Sequence, residues 1–341
     1  MSDNTKHDVI IVGAGPIGLE CAVRLQQAGR RVLLLDKGAV GQTISWFPRQ
    51  MHFFSSNDRI AIADVPIQTL DQQKATREEY LAYLRQVVII HKLNVRTFEE
   101  VTAIDRKESG FTVTTGERTY QADKVILAIG DMHGPRRLDI PGEDQPHVSH
   151  YFDEPHRYFG RRLLIVGGKN SAVEAALRCR HAGAHVTISY RRGEFNASSV
   201  KYWLLPELKS RIKRGEITAH METVPVAIDP NSVTLEPVGN GTSFEAPADD
   251  VLLLTGYVAD NALFKQAGVP LEEPDDMPVY DPDTMESPVP GLYVAGTATA
   301  GTQSSFTVFI ENCHVHADRI VAHLTGDAAP INGHGFERPE S

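Results

Sequence analysis

The stretch DVIIVGAGPIGLECAVRLQQAGRRVLLLD, Asp8–Asp36, decides the fold. It opens with an apolar run that leads into three closely spaced glycines, Gly13, Gly15 and Gly18, and it closes with a second apolar run that ends at Asp36. Uninterrupted apolar runs are typical of parallel strands that are buried on both faces. The segment between them has helical periodicity and stops at a glycine. The stretch therefore predicts a β-α-β unit.

The three glycines have separate roles in a turn of this kind. Gly13 permits the tight turn, Gly15 lets a pyrophosphate approach the backbone, and Gly18 lets the helix pack closely on the strand. The start of the helix offers free N–H groups and a partial positive charge. Asp36, at the end of the second strand, lies where a carboxylate binds ribose hydroxyls. We interpret the motif as a dinucleotide site; the alternative is a plain glycine-rich turn with an incidental Asp.

The pattern occurs a second time, in LLIVGGKNSAVEAALRCRHAGAHVTISY, Leu163–Tyr190. Gly167 and Gly183 follow Gly13 and Gly29 at one offset of 154 residues (167 − 13 and 183 − 29). A constant offset through strand, turn, helix and second strand indicates an internal repeat. We therefore predict an α/β protein with two Rossmann-like, three-layer dinucleotide-binding domains.

The rest of the chain fits around these two units. We predict that residues 1–155 and 259–341 form one discontinuous domain and that residues 156–258 form a second, inserted domain. Residues 99–130 and 217–256 alternate and contain turn residues, which is typical of strands. We also predict a strand at Gly291–Gly296, a long helix from Ser304 to Leu324, and a disordered tail after Gly326.

The second glycine turn departs from the first in two ways. It fits G-x-G-x-x-A except at Lys169, whose ammonium group is suited to meeting a phosphate. No acidic residue follows its second strand; instead Arg191 and Arg192 come directly after Tyr190. A guanidinium fork beside the ribose suits a 2′-phosphate and favours NADPH over NADH. The alternative is a solvated basic turn.

Two dinucleotide sites in one chain are typical of a protein that holds one cofactor tightly and exchanges the other. We predict FAD in the domain that contains Asp36 and NADPH in the domain that contains Arg191 and Arg192. Hydride would pass from the nicotinamide to the flavin, and the protein would supply orientation and electrostatics.

Composition narrows the set of partners. The formal charge is −10, from 34 Lys and Arg against 44 Asp and Glu, which argues against nucleic acid or an anionic membrane. The opening residues have no apolar core of a signal peptide, and no apolar run is long enough to span a bilayer. The three cysteines, Cys21, Cys179 and Cys313, are too far apart for a C-x-x-C pair. That pattern suits a reducing cytoplasm.

Several segments carry a resemblance to a known family. Val186–Phe195, Thr255–Tyr257 and Pro290–Gly296 resemble thioredoxin-reductase-like flavoproteins. Further segments resemble the bacillithiol-disulfide reductases, the YpdA family: Phe53–Ser56, Asp64–Pro66, His150–Phe152, Gly167–Ala172 and Phe309–Asn312. The resemblance implies a homodimer that uses FAD and NADPH and reduces a low-molecular-weight disulfide.

The resemblance and the two turns together imply a set of cofactor-binding positions. In the FAD domain these are Gly13, Gly15, Pro16, Ile17, Gly18, Asp36, Lys37, Gln42, Val101, Ala128, Gly130, Gly296 and Thr297. In the NADPH domain they are Gly167, Gly168, Lys169, Asn170, Ser171, Ala172, Arg191, Arg192 and Gly256.

Three positions depart from the family pattern. Ile17 occupies the place of the Cys that is the family's proposed redox residue, Ile129 replaces a Thr, and Thr297 replaces an Asp that binds ribitol. Ile17 cannot form a mixed disulfide. Cys21, one helical turn later, is a weak catalytic candidate for which core packing is the better interpretation. The alternatives are therefore reduction of a ferredoxin or flavodoxin, a flavin reductase that uses no thiol, or a redox sensor.

Some other side chains are weaker candidates for a functional role. His314 and His316 flank Cys313 but fall on different faces of a helix, so we predict no metal site there. Trp46, Phe47, Phe53 and Phe54 suit either a wall of the flavin pocket or ordinary core packing. The linker motif of flavin monooxygenases, F-x-G-x-x-x-H, does not occur before His150.

Overall fold

The computed structural model describes residues 2–303 and 307–326. The strands are β1 (Ser2–Val12), β2 (Val32–Leu35), β3 (Val95–Arg96), β4 (Val101–Lys107), β5 (Gly110–Thr115), β6 (Thr119–Leu127), β7 (Gly134–Pro135), β8 (Val148–Ser149), β9 (Arg162–Val166), β10 (His185–Tyr190), β11 (Thr218–Met221), β12 (Thr223–Asp229), β13 (Ser232–Pro237), β14 (Phe244–Pro247), β15 (Asp250–Leu253), β16 (Tyr257–Val258), β17 (Leu271–Glu272), β18 (Met277–Pro278) and β19 (Leu292–Val294).

The helices are α1 (Pro16–Gln27), α2 (Gln42–Ser45), α3 (Asn57–Ile60), α4 (Arg77–His91), α5 (Asn170–His181), α6 (Leu204–Lys213), α7 (Ala262–Gln266) and α8 (His314–Thr325). Short 3-10 turns lie at His156–Tyr158, Gly296–Ala300 and Ile310–Asn312. The predicted disordered tail after Gly326 lies outside the described residues.

The described residues divide into two compact units. Unit 1 contains residues 2–45, 50–134 and 257–326, and unit 2 contains residues 46–49 and 135–256. The sequence had instead placed the divisions after Pro155 and Val258. The first division comes earlier because β8 pairs in parallel with β15 and so joins residues 135–155 to the sheet of unit 2.

Unit 1 is built on a seven-stranded sheet in the order β3-β2-β1-β6-β5-β4, with β19 also paired to β6. Strands β1, β2, β3, β6 and β19 are parallel, whereas β4, β5 and β6 form an antiparallel meander. The apolar runs at the centre of the sheet are fully buried, and Ile10 and Leu33 pair directly across β1 and β2. The carboxyl ends of the parallel strands share one edge, which is where ligands bind in open α/β sheets.

Helix α1 crosses from β1 to β2 as predicted. It begins at Pro16, whose fixed φ suits the first helical position, and it is followed by Gly29 in the left-handed conformation, φ 76°. The buried face of α1 includes Leu19, Val23 and Leu25. The β1-α1-β2 unit predicted from Asp8–Asp36 is therefore present.

Unit 2 repeats this plan on a smaller sheet. Its five parallel strands have the order β11-β10-β9-β15-β8, and α5 connects β9 to β10 as predicted. Strands β12, β13 and β14 form a separate antiparallel sheet. Each of the two β-α-β units thus has a glycine turn at the carboxyl end of its first strand.

The prediction of one helix from Ser304 to Leu324 was wrong at its start, since α8 begins at His314. Side chains satisfy the backbone before it: Gln303 Oε1 accepts from the N–H groups of Thr307 and Val308, and Asn312 Oδ1 accepts from Phe309 N. Such local bonds compete with helix formation. Within residues 2–303 and 307–326, no helix is both long and apolar enough to cross a membrane.

Candidate functional site

The first glycine turn of unit 1 is shaped by close backbone contacts on two sides. A Cβ on Gly13, where φ is 108°, would lie 2.3 Å from the carbonyl oxygen of Ala128. A Cβ on Gly18 would lie 2.0 Å from the carbonyl oxygen of Gly13. Gly15 differs, because a Cβ there would meet no atom within 4 Å. The space beside Gly15 is therefore open, which fits the approach of a pyrophosphate group to the backbone.

The Asp36 carboxylate accepts hydrogen bonds from backbone N–H groups of two loops. Its Oδ2 accepts a hydrogen bond from Ala14 N at 2.6 Å, and its Oδ1 accepts one from Gly38 N at 2.7 Å. The carboxylate is thus fixed by the turn after β1 and by the loop after β2. Each oxygen retains lone-pair capacity for ribose hydroxyls.

The loop after β2 contains two further predicted residues. Gln42 packs on Gly38, where a Cβ would lie 2.6 Å from the Gln42 Cγ, and its Oε1 accepts from Ala39 N. Lys37 is exposed and lies close enough to His133 for its charge to help lower the pKa of that histidine to about 4, with burial as the larger cause. Val101, by contrast, is 9% exposed and belongs to the hydrophobic core of unit 1.

The ends of β6 and β19 meet beside the start of α1. A Cβ on Gly296 would lie 3.3 Å from the Cβ of Ile17, and a Cβ on Gly130 would lie 3.8 Å from Oγ1 of Thr297. Ile17 is 5% exposed. The structure therefore brings Ile17, Gly130, Gly296 and Thr297 together at the carboxyl edge of the sheet.

A buried carboxyl that the sequence analysis missed lies at the same edge. Asp131, directly after Gly130, is 8% exposed. Its Oδ2 accepts a hydrogen bond of 2.8 Å from Gln303 Nε2, and the neighbouring Thr297 and Gln303 side chains favour the ionised carboxyl and so act to lower its pKa. Burial is the larger effect, and it raises the pKa of Asp131 overall. The signal available in the sequence was an acidic residue directly after a strand-ending glycine.

The glycine turn of unit 2 has similar constraints. A Cβ on Gly167, where φ is 144°, would lie 2.6 Å from the carbonyl oxygen of Leu254, and one on Gly168 would lie 2.4 Å from the Tyr190 ring. Asn170 begins α5, and its Oδ1 accepts from Lys201 N. Of the remaining predicted positions of this turn, Ser171 is exposed and Ala172 is buried.

Four cationic side chains surround this turn. Partial burial and the guanidinium groups of Arg136, Arg192 and Arg191 lower the pKa of Lys169. The backbone of Arg136 is fixed by a 2.9 Å bond from its N–H to the carbonyl oxygen of Gly256. Like charges repel, so a cluster of this kind is suited to an anion with several phosphate charges. Arg191 and Arg192 were predicted as cofactor ligands, whereas Arg136 was not.

None of the three cysteines resembles a reactive thiol. All are free thiols with 0% exposed surface. Burial raises the pKa of Cys179 to about 12 and raises the pKa values of Cys21 and Cys313 as well. The thiolate is the nucleophile in disulfide exchange. Cys21 is therefore a packed core residue, in agreement with the preferred interpretation.

The two histidines near Cys313 have separate buried partners. His314 Nδ1 lies 2.6 Å from Oε2 of Glu20, and His316 Nδ1 accepts a 3.1 Å bond from Gly296 N. Among the described residues, no group of three or more His, Cys, Asp or Glu side chains is arranged to hold a metal ion. The aromatic candidates also have ordinary contacts: Phe53 packs on Tyr80, and Trp46 on Tyr151.

Comparison with known proteins shows the family of this chain. The family model described as pyridine nucleotide-disulphide oxidoreductase matches residues 10–296. The chain belongs to this family. It is also 35% identical over 320 residues to the bacilliredoxin reductase Bdr of Bacillus subtilis, a match that covers 94% of this chain and 98% of that protein.

A solved structure and a second curated relative extend the comparison. The bacillithiol disulfide reductase Bdr (YpdA) of Staphylococcus aureus superposes with a TM-score of 0.87 at 35% identity, covering 94% of this chain and 99% of that one. A ferredoxin–NADP reductase of Levilactobacillus brevis is 27% identical over 305 residues, or 85% of each chain. The predicted YpdA-type resemblance, the two-domain Rossmann-type fold and the FAD- and NADPH-dependent oxidoreductase class are confirmed.

Proposed function

We propose that unit 1 binds FAD and that unit 2 binds NADPH. The observation that carries this assignment is the difference between two similar turns. Each lies at the carboxyl edge of a parallel sheet, but the first is followed by the carboxylate of Asp36 and the second by Arg191 and Arg192. When bound, NADPH supplies a hydride that FAD accepts, and the reduced flavin then reduces the acceptor.

In unit 1 each residue has a simple task. The N–H groups at the start of α1 and the open space at Gly15 receive the pyrophosphate. Asp36 accepts hydrogen bonds from the adenosine ribose. Thr297, at the end of β19, offers a hydroxyl in place of a charged side chain. Ile17 excludes water and contributes no reactive group.

In unit 2 the cations select the nucleotide. Lys169 and the start of α5 receive the pyrophosphate, and Arg191 and Arg192 bind the 2′-phosphate that distinguishes NADPH from NADH. Arg136, on the β15 side of the turn, adds a further positive charge. Hydrogen bonds to charged groups contribute about 1.5–3 kcal/mol each.

The first candidate acceptor is a low-molecular-weight disulfide. The support is the 35% identity to proteins named bacilliredoxin reductase and bacillithiol disulfide reductase. Because Ile17 supplies no thiol, a mixed disulfide with this acceptor would not form at position 17.

The second candidate acceptor is a small electron-transfer protein, such as a ferredoxin or flavodoxin. The specific observation in its favour is that all three cysteines are buried and that position 17 is an isoleucine. Transfer to such a carrier needs no protein thiol. A curated relative named ferredoxin–NADP reductase covers 85% of the chain.

A screen of acceptors against NADPH consumption tests this proposal. The purified protein should be yellow, with one FAD per chain, and NADPH should reduce that FAD faster than NADH does. Small disulfides, ferredoxin, flavodoxin and oxygen are then compared at equal enzyme concentration. A colourless protein that takes up no added FAD would refute the cofactor assignment, whereas the acceptor that gives the highest rate decides between the two candidates.

We extend the proposal to location and assembly. The three free thiols are typical of a protein of the reducing cytoplasm, and the family resemblance favours a homodimer. Light scattering of the eluted protein should give twice the chain mass of 37.6 kDa. A mass of one chain at micromolar concentration would refute the dimer.

A further inference from the structure

Each of the two glycine turns is joined to its second strand by the same backbone hydrogen bond. The N–H of Gly13 donates to the carbonyl oxygen of Leu35 at 2.8 Å, and the N–H of Gly167 donates to that of Ser189 at 3.0 Å. The two bonds are separated by the repeat offset of 154 residues at both ends (167 − 13 and 189 − 35). The residue that comes next, at the end of the second strand, therefore has an equivalent place in each unit.

The residues in this place are Asp36 in unit 1 and Tyr190 in unit 2. Asp36 Oδ2 accepts a hydrogen bond from the N–H of Ala14, which follows the first glycine of its turn. In unit 2 the corresponding residue is Gly168, and the Tyr190 ring lies against it. A Cβ on Gly168 would lie 2.4 Å from Cε2 and 2.5 Å from Cδ2 and Cζ of that ring. An alanine and a carboxylate in unit 1 are thus replaced in unit 2 by a glycine and a ring, since the ring leaves no room for a methyl group.

The Tyr190 ring also stacks on Phe195. The ring centroids are 5.3 Å apart, the planes are inclined by 7°, and the two residues are 8% and 6% exposed. All four residues between them are exposed. The stack therefore closes an arc of chain that begins with Arg191 and Arg192. A 3.2 Å bond from Glu222 N to the carbonyl oxygen of Arg192 holds the same arc.

An arc that is fixed in advance favours selective binding of a phosphate. An unanchored loop would lose backbone freedom when its arginines met the ligand, and that loss would weaken binding. The stack and the bond from Glu222 remove this freedom before the ligand arrives. The Tyr190 ring has a second consequence, because it occupies the place from which a carboxylate accepts a hydrogen bond from a free ribose 2′-hydroxyl.

We propose that Tyr190 and Phe195 are positioning residues that make unit 2 selective for a nucleotide with a 2′-phosphate. Their stack fixes the backbone of Arg191 and Arg192, which contact the phosphate. The Tyr190 ring takes the place of a carboxylate that would bind a free 2′-hydroxyl. The inference rests on the proposed binding of NADPH to unit 2, and it assigns part of the selectivity to two buried rings.

Phe195→Leu tests the stack. The oxidised holoenzyme is titrated by calorimetry with NADP⁺ and NAD⁺, which differ only in the 2′-phosphate. Loss of the stack should weaken NADP⁺ about 10-fold and leave the affinity for NAD⁺ within 2-fold of native. Tyr190→Phe keeps both rings and should retain the native ratio of the two affinities. Equal losses for both nucleotides in Phe195→Leu, or no loss for NADP⁺, would overturn the role of the stack.

The double variant Gly168→Ala/Tyr190→Asp gives unit 2 the alanine and carboxylate of unit 1. The carboxylate should accept from the N–H of residue 168 and from the free 2′-hydroxyl of NAD⁺, and its charge should repel the 2′-phosphate. This variant should bind NAD⁺ about 10-fold more tightly than native and NADP⁺ at least about 10-fold more weakly. A native preference for NADP⁺ in this variant would overturn the assignment of selectivity to Tyr190.

Thermal melting of the holoenzyme tests the contact between ring and glycine in the absence of nucleotide. Gly168→Ala alone puts a methyl group against the Tyr190 ring and should lower the melting temperature. The same change in the Tyr190→Asp background should lower it no further, because the ring is gone. Equal losses in the two backgrounds would refute the contact on which the proposal depends.

Arg191→Ala distinguishes this inference from the assignment of NADPH to unit 2. If the native protein bound no NADP⁺, or if Arg191→Ala bound it with native affinity, the cofactor assignment would be refuted. If Arg191→Ala lost affinity for NADP⁺ while Phe195→Leu and the double variant kept it, the cofactor assignment would stand. The positioning role of Tyr190 and Phe195 would then be overturned.

Discussion

Nδ1 of His314 lies 2.6 Å from Oε2 of Glu20, and both side chains are buried although they are separated by 294 residues. The other ring nitrogen, Nε2, lies 2.8 Å from the carbonyl oxygen of Arg59. A carboxylate and a carbonyl both accept, so His314 carries a proton on each nitrogen. Burial lowers the pKa of His314, but the bond to Glu20 and the Glu20 charge outweigh it and raise the pKa overall.

His316, two residues later, has the opposite character. Its Nδ1 accepts from Gly296 N at 3.1 Å, so that nitrogen has to be unprotonated. Burial and the charges of Arg319 and His314 lower the pKa of His316 to about 4. One turn of α8 thus contains a charged and a neutral imidazole.

We expect the two histidines to give opposite pH dependences of the free energy of unfolding. The His314 contribution is complete below the unfolded pKa of about 6.5 and is lost as pH rises through its raised folded pKa. The His316 contribution is complete above about 6.5 and is lost as pH falls toward 4. Each limb has a slope of at most about 1.4 kcal/mol per pH unit.

Both pH dependences are measured by urea unfolding between pH 4.5 and 8.5. The proteins compared are the native protein, His314→Gln and His316→Gln. The difference between native and variant removes the contributions of titrating groups that do not interact with the substituted histidine. His314→Gln should flatten the alkaline limb, and His316→Gln the acid limb. Identical pH profiles for the two variants would contradict the assignment of charge.

This pair also shows why part of the site could not be predicted from the sequence. The glycine turns, Asp36 and the pair Arg191 and Arg192 could be predicted from their spacing in the sequence. In a β-α-β unit, residues that directly follow a strand lie at its carboxyl end, which is where ligands bind. Glu20 and His314 meet only after α1 and α8 pack together. No local pattern specifies that contact, and neither does one specify the bond between Asp131 and Gln303.

Gly15 and Gly18 form a matched pair for testing the first turn. A methyl on Gly15 meets nothing within 4 Å, whereas one on Gly18 collides with the carbonyl oxygen of Gly13. Gly15→Ala should therefore leave the thermal stability of the apoprotein close to native and weaken FAD at least about 10-fold, as the methyl occupies the space for the pyrophosphate. Gly18→Ala should destabilise the apoprotein itself. Thermal melting of the apoprotein measures the effect of each variant on stability, and titration with FAD measures its effect on cofactor affinity. If Gly15→Ala and Gly18→Ala had the same effects on stability and on FAD affinity, the separate roles of the two glycines would be refuted.

The cation cluster of unit 2 gives a prediction on nucleotide selectivity. Arg191→Ala and Arg192→Ala should each weaken NADPH by about 10-fold to 150-fold, the range for one hydrogen bond to a charged group, and leave NADH nearly unchanged. Arg136→Ala should weaken NADPH and NADH alike, because Arg136 lies on the other side of the turn. Flavin reduction rates at varied nucleotide concentration give these affinities.

Arg162→Ala is the control for loss of a surface cation. Arg162 begins β9 and pairs with Asp249, at the opposite end of the strand from the turn. The Arg162→Ala variant should bind NADPH and NADH with native affinity. Equal losses of NADPH and NADH in the Arg191 and Arg192 variants would show that this pair does not bind the 2′-phosphate.

Ile17 is the position at which the effect of adding a thiol to this protein can be tested. It is the second residue of α1, it is 5% exposed, and it packs beside Gly296. A cysteine at this helix start would have a lowered pKa. Ile17→Cys should therefore gain a long-wavelength charge-transfer band on partial reduction of the flavin and should reduce small disulfides at least about 10-fold faster than native, since the thiolate is the attacking species.

Two control variants show whether the sulfur atom at position 17 is responsible for these changes. Ile17→Ala also shortens the side chain but adds no sulfur, and it should lower the free energy of unfolding by at most about 5 kcal/mol. This variant should gain neither the charge-transfer band nor the faster reduction of disulfides. Cys21→Ser in the native background should change nothing, because Cys21 has no exposed surface and burial raises its pKa. If the native protein instead reduced disulfides as fast as Ile17→Cys, and Cys21→Ser abolished that activity, the thiol function would lie one helical turn beyond Ile17, and the interpretation of Cys21 as a packed core residue would be wrong.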